Sequence, residues 1–143
     1  MSAEDAVNAD HNELGEMLVG MAINLLEKNG EFYPIAAEMS PDGEARYVIP
    51  NMEDEHPDSQ VLIDYYITSL RKGASAGSLR AAAIAYDTYD KRDGGKRDAI
   101  AIRHEHQDGE PLIMVTPYSI ANGEVVFDEG FIQDTKPLIF LPA

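Results

Sequence analysis

Two histidines one residue apart form the chain's most chemically promising motif, the Arg-His-Glu-His run at 103–106. Alternate residues of a β-strand share a face, so we expect His104 and His106 to point in the same direction. Two imidazoles can do acid–base chemistry or supply part of a metal site. A metal would need a third ligand, which His11, His56 or a carboxylate could provide after folding. These histidines are therefore candidates for a ligand or metal site, and the alternative is a strand end that emerges into solvent.

Two further motifs match known functional patterns only in part. The run at 73–77, Gly-Ala-Ser-Ala-Gly, has the letters of a nucleophile elbow, but such an elbow lies between a strand and a helix, and the expected order here is reversed. Asp87, Asp90 and Asp93 recur every three residues, whereas a calcium loop of the EF-hand type needs oxygens at alternate positions. The chain has no cysteine, no Walker A pattern and no dinucleotide fingerprint. We therefore expect no catalytic residue and no cofactor, and a protein that is not an enzyme.

Two clusters of charged residues are candidates for contact with a protein partner. One is acidic and precedes the second predicted helix, and the other is basic and lies at a predicted hairpin tip. The candidates are Glu53, Asp54, Glu55, Lys91, Arg92, Lys96 and Arg97. The basic cluster could bind an anionic group or a protein, and the alternative for both clusters is a solvated loop.

The charge balance narrows the classes of partner. The 143 residues include 26 Asp and Glu against 11 Lys and Arg, which gives a formal net charge of -15. Nucleic-acid binding needs a basic surface that neutralises phosphates, and anionic membranes also attract basic residues. We therefore expect neither nucleic acid nor membrane as a partner. The first basic residue is Lys28 and no apolar run approaches a membrane span, so we expect a cytoplasmic protein without a signal peptide.

The hydrophobic periodicity indicates which elements position these residues. Residues 1–10 are expected to form a loosely ordered N-terminus, followed by an amphipathic helix that ends at Asn29-Gly30. A second helix is expected from Pro57 to about Lys72, with Gly73 as its end. Strands are expected at 32–39, 45–49, 79–89, 99–106, 112–118, 124–128 and 138–141.

This order predicts an α+β fold with a mainly antiparallel sheet of five to six strands. The order is α-β-β-α-β-β-β, with a further strand at the C-terminus, in a single domain over 1–143. We expect the two amphipathic helices to cover one face of the sheet. The strand at 79–89 is apolar on both faces, so its second face needs a cover as well. Either the C-terminal segment or a second subunit of a homodimer would provide it.

Several short motifs carry a resemblance. They are Gly30-Glu31-Phe32-Tyr33-Pro34, Asp42-Gly43, Asp98-Ala99-Ile100, the run at 103–106, and Pro117-Tyr118. Together they resemble a group of small bacterial single-domain proteins of unknown function. The order of elements is also similar to that of profilin-like and roadblock-like modules, most of which serve as interaction modules. The resemblance implies a compact bacterial domain and brings no catalytic residues with it.

Three functional hypotheses follow. The first is a non-enzymatic interaction module whose acidic surface binds a protein partner, which could be basic, as immunity proteins or secretion chaperones do. The alternative is a small metal- or ligand-binding domain, or an enzyme, that uses the strand end at His104 and His106. A third explanation needs no partner, because an acidic surface also favours solvation in a salty cytoplasm. Unfolding at low ionic strength would support that explanation.

Overall fold

Two long helices and seven strands make up the chain over residues 2–52 and 57–142, the part that the computed structural model describes. The elements are α1 (Ala3–Asn29), β1 (Ile35–Met39), β2 (Ala45–Tyr47), α2 (Ser59–Ser75), β3 (Ala81–Asp90), β4 (Arg97–His106), β5 (Gly109–Ala121), β6 (Glu124–Phe127) and β7 (Phe131–Asp134). The expected α+β fold and order of elements are confirmed.

All strand pairs are antiparallel, and the strands form one sheet in the order β2-β1-β3-β4-β5-β6. The strand β7 pairs with the first half of β5, where Met114 faces Ile132 and Leu112 faces Asp134. The expected strand at 138–141 is wrong, and the additional strand lies earlier, at β7. Residues 135–142 instead run across the sheet as an irregular segment, which we call the C-terminal strap.

The first helix begins earlier than its hydrophobic stripe indicates. Ser2 caps α1 by accepting a hydrogen bond from the backbone N–H of Asp5, and the Asp5 carboxylate accepts one from the Ser2 N–H. This reciprocal capping box satisfies N–H groups that a helix start otherwise leaves free. Residues 3–10 are therefore helical, not loosely ordered, and Val7 and Asp10 are buried. The helix ends as predicted, with Gly30 at φ 76°.

The second helix does not end at Gly73. A Cβ atom at this position would lie 2.7 Å from Leu79 Cδ1, so the glycine makes room for a buried leucine inside the last turns of α2. The helix continues to Ser75, and the chain reverses at Gly77, where φ is 74°. The run at 73–77 is thus a helix end followed by a turn, which is not the context of a nucleophile elbow.

The two helices lie on opposite faces of the sheet, and the prediction that both cover one face is wrong. Helix α1 packs against alternate residues of β1, β3 and β4, among them Ala83 and Ile102. Helix α2 and the strap pack on the other face, against Ala82 and Ile84. The small side chains of β3 are buried on both faces because each face has its own helix. Neither helix is long and apolar enough to cross a membrane, within the residues described above.

Candidate functional site

The two histidines of the 103–106 run lie inside the protein. His104 and His106 are 6% and 5% exposed, and both lie on the sheet face that α1 covers. They share a face as predicted, but the strand end does not emerge into solvent there. Helix α1 begins early enough to cover it and brings His11 against both rings, with centroid distances of 4.8 Å to His104 and 5.9 Å to His106. His56 lies outside the described residues.

His106 is part of a closed hydrogen-bond network. Its Nδ1 accepts a hydrogen bond from the backbone N–H of Asp108 at 3.0 Å, so its proton must be on Nε2. Nε2 donates to Asp10 Oδ2 at 2.7 Å. The Arg80 guanidinium donates to both oxygens of Asp10, at 3.0 and 2.8 Å. Both ring nitrogens of His106 are therefore occupied in attaching α1 to the end of the sheet.

Asp10 is held as a carboxylate. Burial raises its pKa, but hydrogen bonds from Arg80 and His106 and the positive charge of Arg80 outweigh this and hold the pKa below its ordinary value. A metal ion at Asp10 would have to displace a bidentate guanidinium. Asp10 and Arg80 carry no distinctive motif, and the sequence reasoning missed both. The pairing depends on residues 70 positions apart, which only the fold brings together.

His11 and His104 form the unsatisfied part of the cluster. Both nitrogens of His11 and the Nδ1 of His104 are buried without a hydrogen-bond partner in the part of the chain that the structure covers. Burial lowers the pKa of His11, and the proximity of His106 lowers it further. Burial and the neighbouring His11 lower the pKa of His104 to about 3. His104 is therefore uncharged at neutral pH.

The arrangement offers little to a metal ion. Across residues 2–52 and 57–142, no three His, Cys, Asp or Glu side chains are placed so that they could hold one. His106 is already saturated with hydrogen bonds, which leaves His104 and His11 as the imidazoles with free nitrogens. A ligand site at His104 stays a prediction, and its setting is a groove along α1.

This groove runs between α1 and the exposed parts of β5 and β7, with a volume of about 770 Å³. It exists because α1 packs over β1, β3 and β4 and meets β5 towards its ends, near Gly109 and Tyr118, so the middle of β5 and the neighbouring β7 stay bare on this face. Its lining is Asn8, His11, Asn12, Gly15, Glu16, Val19, Gly20, Ile23, Ile102, His104, Leu112, Met114, Thr116 and Ile132. We call it the α1 groove.

Strand register divides the α1 groove into an apolar and a polar part. Ile102, Met114 and Ile132 face one another across three strands and form an apolar row, in which Ile132 is 59% exposed. The next row towards the His106 end of β4 consists of His104, Leu112 and Asp134. Directly paired residues point to the same face of a sheet, so both rows belong to the groove side.

The charges in and beside the α1 groove are negative. Glu16 of α1 is the one carboxylate among the lining residues, and the lining contains no lysine or arginine. Asp134 is exposed and lies in the sheet row of His104, next to Leu112 of the lining. The stretch from 104 to 135, which contains β5, β6 and β7, has no lysine or arginine. The exposed charges along α1 are also mostly negative, namely Glu4, Asp5, Glu13, Glu16, Glu27 and a single cation, Lys28. The groove is thus a mostly apolar trough with a carboxylate on α1 and another at its β7 edge.

The basic cluster singled out from the sequence lies outside the α1 groove. Arg92 pairs with Asp90 and lies 4.0 Å above the Phe131 ring, Arg97 pairs with Asp128, and Lys96 lies 4.1 Å above the Tyr89 ring. These contacts within the chain account for three of the four basic candidates. Lys91 is exposed. The acidic candidates Glu53, Asp54 and Glu55 lie outside the described residues.

Comparisons with known proteins add no functional information. No family model matches the chain, and neither a curated protein nor a solved structure matches it. Function therefore has to be argued from the site.

Proposed function

We propose that this protein is a non-enzymatic interaction module that binds a basic, amphipathic helix of a protein partner in the α1 groove. One observation carries the proposal: an open, mostly apolar trough has the carboxylate of Glu16 and no lysine or arginine in its lining, with Asp134 at its β7 edge. Apolar contacts supply affinity in such a groove, and complementary charges supply orientation and a fast association rate.

The dimensions of the bare surface favour a helix as the occupant. Neighbouring strands lie about 4.8 Å apart and a helix with its side chains is about 10 Å wide, so one helix covers roughly two strands. The parts of the sheet left bare on this face are the middle of β5 and the neighbouring β7. Along α1 the groove extends from Asn8 to Ile23, about 22 Å at 1.5 Å per residue. Gly15 and Gly20 on this wall allow a second helix to approach closely.

Charge favours a basic partner over a second copy of this chain. If a second copy occupied the groove with its long helix α1, the exposed charged side chains of that helix would be five carboxylates and one lysine. Placing that surface beside the carboxylates of Glu16 and Asp134 would bring like charges together without compensation, which costs free energy. A partner helix with lysine or arginine beside its apolar stripe would instead place positive charges next to the carboxylates and be attracted to them.

The test measures binding of two synthetic amphipathic helices, one of leucine and lysine and one of leucine and glutamate. We expect the leucine–lysine helix to bind, with affinity that falls as salt rises, and the leucine–glutamate helix not to bind. The variant Ile132→Lys places a cation in the apolar row and should weaken binding at least tenfold, roughly the effect of 1.4 kcal/mol. Ile49→Lys is the matched control, because Ile49 is 79% exposed and does not line the groove.

The outcomes separate the hypotheses. Equal weakening by Ile132→Lys and Ile49→Lys would show that attraction is a general effect of charge and would overturn the groove. Absence of binding would also overturn it, and a dimer in sedimentation that Ile132→Lys dissociates would identify a second copy as the occupant. With wild type as bait in a lysate, the natural partner should be a basic protein that the Ile132→Lys variant fails to retain.

A further inference from the structure

One imidazole nitrogen in the α1 groove is open to an occupant. His104 Nδ1 is enclosed without a partner, but Nε2 is not enclosed and makes no hydrogen bond within the described residues. The ring can be approached because the α1 residue above it is Gly15. A Cβ atom there would lie 3.4 Å from His104 Cε1 and 3.6 Å from Nε2. Gly15 thus leaves a gap in α1 over a side chain that is otherwise nine-tenths buried.

The groups around this gap favour a positively charged occupant. Glu16 of α1 and Asp134 of β7 provide carboxylates, and the amide oxygens of Asn8 and Asn12 are further acceptors. The Arg80 guanidinium is already bound to both oxygens of Asp10. Ammonium and guanidinium groups have only donors to offer, and the imidazole nitrogen, the carboxylates and the amide oxygens named above can all accept.

We propose that the gap at Gly15 is the anchor site of the α1 groove, where a lysine or arginine side chain of the partner helix donates a hydrogen bond to His104 Nε2 while Glu16 and Asp134 balance its charge. This inference rests on the proposed function and adds the chemistry and position of the contact that orients the partner. The anchor lies at the polar end, and the row of Ile102, Met114 and Ile132 receives the apolar stripe.

The uncharged state of His104 suits this role. Its low pKa, caused by burial and by His11, keeps the ring uncharged throughout the neutral range, so one of its two nitrogens carries a lone pair. With the proton on Nδ1, the ring accepts at Nε2 from a cation. An anionic occupant would instead need a proton on Nε2, and the positive charge that the ring gains on acidification would strengthen its binding. For a cationic anchor we expect affinity for the leucine–lysine helix to be constant from about pH 6 to pH 8.

The decisive experiment compares the same substitution at two glycines, one in the groove and one outside it. Gly15→Ala places a methyl group over His104 Nε2. Gly95 does not line the groove, has a φ of -92°, and would bring a Cβ no closer than 4.0 Å to the Arg92 carbonyl oxygen. Loss of a hydrogen bond to a charged group weakens binding roughly ten- to hundredfold, so we expect that loss for Gly15→Ala with the leucine–lysine helix. Gly95→Ala should change the affinity less than about threefold, because it lies away from the groove.

A spectroscopic readout distinguishes the anchor from a steric effect. We expect the ¹⁵N resonance of His104 Nε2 to move on titration with the leucine–lysine helix, as the nitrogen becomes a hydrogen-bond acceptor. If Ile132→Lys abolishes binding but Gly15→Ala does not and the resonance stays in place, the anchor is wrong and the groove stands. If Ile132→Lys has no effect, the proposed function itself fails. An affinity that rises on acidification would replace the cation with an anion and overturn the anchor.

Discussion

His104 and Glu105 are adjacent in β4, are both buried, and lie on opposite faces of the sheet. Glu105 is 1% exposed, and its two oxygens accept hydrogen bonds from the backbone N–H groups of Leu138, Ile139 and Phe140 at 2.9 to 3.2 Å. Arg103 donates a further one at 3.1 Å. His104 has one enclosed nitrogen without a partner and another open to a groove.

The difference between these neighbours separates structural from functional polarity. On the α2 face, the buried carboxylate fixes the strap over the sheet, and Arg71 reinforces it by donating to the carbonyl of Leu138. Each polar group named on that face has a hydrogen-bond partner, so its hydrogen bonding is complete. On the α1 face the hydrogen bonding is incomplete beside an open trough. A buried polar group without a partner costs free energy, and such a group next to a groove points to binding.

The largest expected effect comes from removing the Glu105 carboxylate, which completes the hydrogen bonding of the α2 face. Glu105→Leu would leave three backbone N–H groups of the strap without their acceptor, and the Arg103 guanidinium would lose its carboxylate partner while it keeps its bonds to Thr135 and Lys136. Removing one partner of a buried charge pair typically costs about 3–5 kcal/mol, and we expect a loss of that size in the free energy of unfolding. Urea denaturation measures it, and amide hydrogen exchange at Leu138 to Phe140 should accelerate.

Glu110→Leu provides the control for this loss. Glu110 is an exposed glutamate in β5 with no hydrogen bond or ion pair in the described structure, and surface substitutions of this kind usually change stability by less than about 0.5 kcal/mol. If the two variants lose the same small amount of stability, Glu105 does not hold the strap, and the contrast between the two faces disappears.

The sequence predicted most of the elements because helical periodicity, strand alternation and turn residues depend on residues that are close along the chain. Hydrophobic periodicity located both helices, and it located the strands from 32–39 to 124–128. The errors arose where distant residues decide the structure. The helix α1 starts at Ala3 because Ser2 caps it, and α2 passes Gly73 because Leu79 needs the space. The apolar tail forms no strand, because its backbone N–H groups donate to the Glu105 carboxylate and not to a neighbouring strand.

The candidate site was predictable only in part. The alternation of β4 correctly paired His104 with His106, and His11 was one of the residues expected to join them. The sequence does not show that His106 has both ring nitrogens in hydrogen bonds while His104 keeps an accessible nitrogen. These states depend on Asp10 and Arg80, which saturate one ring, and on Gly15, which leaves the other accessible.

A second prediction concerns the α1 face and tests how the stability of the protein depends on pH through His104. The pKa of His104 falls from an ordinary 6.5 to about 3 in the folded protein, so below pH 6.5 the unfolded chain binds a proton that the folded protein does not. Stability is therefore full above pH 6.5 and is lost as pH falls towards 3, by at most about 1.4 kcal/mol per unit. We expect His104 to account for about 2 kcal/mol of lost stability between pH 7 and pH 5.

The variant His104→Leu isolates this contribution. At pH 7 its stability should differ from wild type by less than about 1 kcal/mol, because a buried group without a partner is replaced by an apolar one of similar size. His11, whose ring lies against His104, and the linked groups of His106, Asp10 and Arg80 are present in both proteins. Urea denaturation at pH 7, 6 and 5 should show a smaller loss in the variant. Parallel losses would mean that His104 is charged in the folded protein.

The smallest expected changes in stability, about 1 kcal/mol in opposite directions, come from a glycine-to-alanine substitution in each of the two helices. At Gly20 of α1 a methyl group would enter open space, and alanine exceeds glycine in helix stability by about 0.5–1 kcal/mol, so Gly20→Ala should stabilise the protein. At Gly73 of α2 the same methyl group would lie 2.7 Å from a buried leucine, and overpacking typically costs about 1–3 kcal/mol. The melting temperature should therefore rise for Gly20→Ala and fall for Gly73→Ala. A fall for both would mean that the α1 groove is packed shut in solution and has no room for a partner.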